Sequence, residues 1–216
     1  MADTEAARRV GFWSAVCCLF FSLAYIFAQL LEWLGVLGSA GGPESSSTPF
    51  GLAILLTPSL LLAPAFVVLM SALHSLAPPD RKVWSQTALA FAIIYATLVS
   101  PVYFVQLTLV APRMASGDLE GIEFLIFVPY RSFLFAVDLL GYSFMSVATL
   151  FATFALPNVR LARLAKAGLL LNGLLLPFLA LQMFMPDLIQ VAALWGVSFP
   201  AAMLGLAILL RRKQPL

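Results

Sequence analysis

Asp138 stands in FAVDLLGYSF (residues 135–144), a stretch in which every other residue is uncharged. A carboxylate at the centre of a bilayer costs roughly 2.5–3.5 kcal/mol on insertion scales, so it turns to protein, water or a counter-charge rather than lipid. Glu32 poses the same question in YIFAQLLEWL (residues 25–34). Each acid has polar company at helical spacing. Ser22, Tyr25, Gln29 and Glu32 are three, four and three apart and so form one stripe. Tyr103 and Gln106 share a face with Tyr95 two turns away. Asp138 and Tyr142 are four apart, on a stripe that continues through Met145 to Thr149. Carboxylates attract a cation, while amides and phenols offer hydrogen bonds. The residues expected to bind a ligand are therefore Glu32, Gln29, Tyr103, Gln106, Asp138 and Tyr142.

Such residues must be held by elements that can exist in lipid. Of 216 residues, 62% are hydrophobic and only 10% charged, against about a quarter charged in a soluble domain. Too little polar surface is available to cover a soluble fold, and the apolar runs lack the two-residue alternation of a membrane barrel. An all-α, polytopic membrane protein of one domain follows, each helix satisfying its own backbone. Runs of about 20 residues, enough to cross, occur at 11–37, 50–76, 83–110, 129–156, 164–185 and 188–210. Residues 119–128 are too short to cross and carry Glu120 and Glu123, so they are expected to lie along the membrane surface. Pro58, Pro64, Pro101, Pro177 and Pro200 fall inside spans and are expected to bend them, either as ordinary kinks or to widen a cavity. Ser198, Ala201, Ala202 and Gly205 form pairs of small residues that let another helix approach, within one molecule or between two.

Orientation comes from the basic residues. Arg8, Arg9, Arg81, Lys82, Arg160, Arg163, Lys166, Arg211, Arg212 and Lys213 share one side of a six-span bundle, leaving Arg113 and Arg131 on the other. The positive-inside rule then puts both termini in the cytoplasm. The first run is too long for a signal-peptide core and is read as a retained helix. On this topology Glu32, Gln106, Asp138, Gln182 and Gln190, from five spans, all lie in the outer half. Asp138 falls about 12–14 Å below the outer end, counting from Pro129. Arg131 is expected to meet Glu32 or the lipid headgroups. The loop at 38–49, rich in Gly, Ser and Pro, is expected to be exposed and flexible.

Function classes narrow accordingly. Adjacent Cys17 and Cys18 with a lone His74 argue against a metal or haem site, and no cofactor is expected. No basic patch is interleaved with aromatics, so no nucleic acid is expected. The partners expected are the bilayer, a small amphipathic or cationic ligand and, in an alternative reading, further subunits. In the leading reading the chain binds or transports that ligand through an outward-facing pocket, with a proton carried by Asp138. The alternatives are an accessory or sensor subunit of a membrane complex, and a membrane-embedded enzyme using paired acids on a lipid or quinone.

The stretches APPDRKVWSQTALAFAIIYATLVSPVYFVQLTLVAP (77–112) and FAVDLLGYSFMSVATLFA (135–152) resemble a family of small bacterial inner-membrane proteins, named only as uncharacterised membrane proteins. The resemblance implies a bacterial inner membrane and six helices. It places Tyr103, Gln106, Asp138 and Tyr142 in shared segments and carries no activity.

Overall fold

The computed structural model describes residues 2–212, and Lys213, counted above with the basic end, lies outside them. The described residues contain no β-strand. Among the described residues nine α-helices form: α1 (Ala2–Trp33), α2 (Pro49–Leu76), α3 (Lys82–Val105), α4 (Ala111–Ser116), α5 (Phe133–Ala155), α6 (Arg163–Leu174), α7 (Leu176–Ala180), α8 (Ile189–Ala192) and α9 (Trp195–Arg211). A π-helical turn, Gln106–Val110, joins α3 to α4. Six stretches of the described residues are long and apolar enough to cross a membrane: Thr4–Trp33, Pro49–Leu76, Pro79–Ser116, Phe133–Ala155, Arg160–Ala180 and Pro186–Arg211.

Consecutive spans pack side by side, and α9 returns against α1, closing a ring. Small residues set the closest approach. A Cβ added to Gly168 on α6 would stand 2.6 Å from the backbone nitrogen of Ala202 on α9, a distance no side chain tolerates. Ser198, Ala202 and Gly205 thus serve packing inside one molecule, between α6 and α9. The outward faces are apolar instead. Trp13, Phe20 and Phe27 line an exposed stripe of α1 at seven-residue steps, a surface that bilayer rather than water suits.

Expected ends shift where local chemistry intervenes. The first span stops at Trp33, and α2 begins at Pro49 under a Thr48 cap whose hydroxyl accepts from Gly51 N. The fourth begins at Phe133 rather than Pro129, because Ser132 caps it, accepting from Phe135 N at 3.2 Å. Asp138 therefore lies only five residues inside α5, about 7.5 Å along its axis. The fifth span breaks at Leu175, just before Pro177, which has no N–H to continue the ladder. The sixth breaks at Ala193–Leu194, where tighter bonds such as Gly196 N to Ala193 O replace helical ones, nearly two turns ahead of Pro200.

Residues 119–128 form turns and a short 3-10 helix, Glu123–Leu125, and no α-helix. The loop after α1 is not loose: Thr48 Oγ1 donates to Leu37 O at 2.8 Å and Gly42 N to Trp33 O at 2.9 Å. Gly35, Gly38, Gly41 and Gly42 supply its left-handed turns.

Candidate functional site

At the end of the ring that carries few basic residues, a cavity of about 330 Å³ opens between the helices and two loops. Five of the six residues expected to bind a ligand line it: Gln29 and Glu32 from α1, Tyr103 from α3, Asp138 and Tyr142 from α5. The loops at 42–47 and 127–130 frame it. Among the described residues, no lysine, arginine or histidine contributes to its lining, whereas two carboxylates do.

The polar groups there fall into two kinds. The Tyr25 hydroxyl donates to Gln29 Oε1 at 3.0 Å, and the Tyr103 hydroxyl donates to that of Tyr142 at 3.1 Å. Others are buried without a hydrogen bond: both oxygens of Glu32, Oδ1 of Asp138, both amide atoms of Gln182, and Nε1 of Trp195. Their residues are respectively 2, 8, 1 and 7% exposed. Buried polar atoms are nearly always partnered, and each orphan costs of order 1–3 kcal/mol. Four orphaned residues on one cavity form a concentration. Tyr95 and Ser146 also hold unpartnered hydroxyls, outside this lining.

Glu32 lies one residue from the end of α1, against the first turn of α2. A Cβ on Gly51 would stand 2.8 Å from its Oε2, so the carboxylate end lies directly on that turn. The positive end of α2 favours that charge, although Gly51 N is already taken by Thr48. Of the two partners expected for Arg131, Glu32 is not met. Arg131 is exposed within the turn at 129–132, and Glu32 has no hydrogen-bond partner.

Gln106 differs from the other five. Its side chain is fully buried, but it grips a loop: Nε2 donates to Leu125 O at 2.5 Å, and Oε1 accepts from Phe127 N at 3.2 Å. Its amide is consumed by positioning the segment whose Phe127 borders the cavity. Tyr130, beyond it, holds a left-handed φ of 60° and faces the same space. Burial pushes its hydroxyl above the usual tyrosine range, with Glu44 of the opposite loop adding to the shift. Farther along the segment, Arg113 donates to Asp118 at 2.7 Å and holds that carboxyl below its ordinary range.

Gln182 and Trp195 complete the site. The sequence puts Gln182 in the outer half but gives no face for it, because the break at Leu175 resets the helical phase. Gln190, expected at the same level, is exposed. Trp195 begins α9 just past a break that no proline marks directly, and Pro200 five residues on is its only signal.

The cavity has a floor. Phe66, Tyr95, Tyr142, Trp195 and Phe199 form a closed circuit of rings, with successive centroids 5.9, 5.6, 5.8, 5.3 and 5.7 Å apart. Tyr25 adds an edge-on contact to Trp195 at 5.8 Å. Below lies a knot of a different kind: Asn172 donates to Thr149 at 3.0 Å and accepts from Ser198 at 3.2 Å, joining α5, α6 and α9. No family model, curated protein or solved structure matches the chain.

Proposed function

We propose that this chain is a multi-pass protein of a bacterial inner membrane, with both termini cytoplasmic, which binds a small amphipathic organic cation in its outward-opening cavity. One observation carries the reading: two buried carboxylates share a largely apolar, aromatic-rimmed cavity with no basic residue in its lining among the described residues. An organic cation supplies the missing counter-charge. Its apolar part suits the leucines, and its charged centre suits the faces of Tyr142 and Trp195, a contact contributing about 0.5–2 kcal/mol. Orientation rests on the basic end, where the start of α1 and the ends of α2 and α9 meet: Gly11 packs against Ala72 and Leu210, and Arg8 donates to Arg212 O at 2.8 Å.

The ring of aromatics beneath the cavity favours binding over free passage. Transport requires the Tyr142–Trp195 contact to part. A sensor or accessory subunit uses the same pocket without that step, and the closed floor speaks for this second reading.

Right-side-out vesicles bearing the protein test both pocket and orientation. Phenyltrimethylammonium added outside, too polar to cross unaided, binds saturably. Asp138→Asn lowers its affinity by about tenfold or more, the loss of one charge-assisted contact of about 1.5–3 kcal/mol. Equal affinity in the variant, or binding only after the vesicles are inverted, contradicts the proposal.

A further inference from the structure

The two acids of the cavity are not equivalent, and they are not a pair. Glu32 comes from α1 and Asp138 from α5, three places apart in a ring of six spans, so they approach the cavity from opposite walls. Their surroundings differ as well. Glu32 lies at the mouth against the first turn of α2, beside Gly51 and the loop residues Ser45 and Ser47. Asp138 lies among the phenols of Tyr103 and Tyr142, next to the aromatic floor. Leucines, among them Leu52, Leu55, Leu56 and Leu139, supply apolar wall between and beside these two positions.

Charge balance then constrains the ligand. A single positive centre on Asp138 leaves Glu32 buried and uncompensated, and an unpaired buried charge is strongly destabilising. The end of α2 contributes the equivalent of only about half an elementary charge, and no hydrogen bond reaches either Glu32 oxygen. An independent feature marks the same volume as a site: the Gln182 side chain, 1% exposed, lines it with neither amide atom bonded. We infer that the ligand is an elongated dication, with two positive centres joined by an apolar spacer, one seated on Asp138 at the aromatic floor and the other on Glu32 at the mouth. This inference rests on the reading of the cavity as an organic-cation site.

The test compares, by titration calorimetry on the protein in phosphatidylcholine nanodiscs, α,ω-bis(trimethylammonium)alkanes of increasing spacer length with the matching alkyltrimethylammonium ions. The dication of best length binds wild type roughly tenfold tighter than its monocation, as one added charge contact of about 1.4 kcal/mol gives. Glu32→Gln removes that advantage, so that dication and monocation bind the variant alike, whereas Asp138→Asn weakens both ligands. This comparison needs no variant for its first result, so a Glu32 variant that fails to fold does not blunt it. Equal affinities at every spacer length, with saturable monocation binding intact, overturn the dication and leave the cation site standing. Absence of binding by both ligand series overturns the two readings together.

Discussion

Glu32, Asp138, Gln182 and Trp195 hold buried polar atoms without partners, whereas Asn172, Thr149 and Ser198 are joined by hydrogen bonds. The contrast separates recognition from glue within one bundle. Interhelical hydrogen bonds in membranes contribute about 0.6 kcal/mol each, so a satisfied knot explains itself by stability alone. Orphaned carboxylates oppose stability, and in the proposed reading a ligand supplies their partner. Gln106 belongs with the glue, although its type and depth resembled those of the site residues. Gln106→Ala should free the 125–127 backbone, accelerating hydrogen exchange at the Phe127 amide by roughly tenfold while the Tyr103–Tyr142 contact persists, since about 1 kcal/mol or somewhat more rests on such a buried pairing. Unchanged exchange at Phe127 would show that the loop holds itself.

At the scale of elements, the breaks matter more than the helices. The interruption of the fifth span at Leu175 and of the sixth at Ala193–Leu194 brings Leu179, Gln182 and Trp195 to the cavity. Discontinuous helices recur at binding sites of membrane proteins because freed backbone and re-aimed side chains can line a cavity. Close packing of α6 on α9 anchors both broken spans below these breaks. Gly168→Leu forces the two apart, since any side chain there meets the Ala202 backbone. A loss of about 1–3 kcal/mol is expected from such overpacking, read as a lower midpoint in detergent-induced unfolding; an unchanged midpoint would mean that α6 and α9 separate freely. The spans themselves were legible from hydrophobic length, and the stripes on α1 and α5 from helical period, because both helices run unbroken through their polar residues. The face of Gln182 was not legible, since helical phase is lost at a break. Nor was the bonding of Gln106: its partners lie 19 and 21 residues away in irregular chain, which no periodicity encodes.

The whole molecule is a ring of six apolar stretches with three levels inside it: a cavity lined by two acids, a circuit of five aromatic rings, and a hydrogen-bonded knot. Its polarity runs inward and its apolar surface outward, the arrangement expected where lipid is the solvent. The chain thereby places costly carboxylates in the lining of an internal cavity and away from its apolar outer surface. The most direct measurement is anomalous diffraction from crystals soaked with phenyltrimethylarsonium, an organic cation with a heavy centre. The arsenic peak is expected in the cavity, beside the Asp138 carboxylate and within about 6 Å of the Tyr142 or Trp195 ring. A peak confined to the outer surface, or a cavity in which a protein cation already pairs with Asp138, would contradict the account.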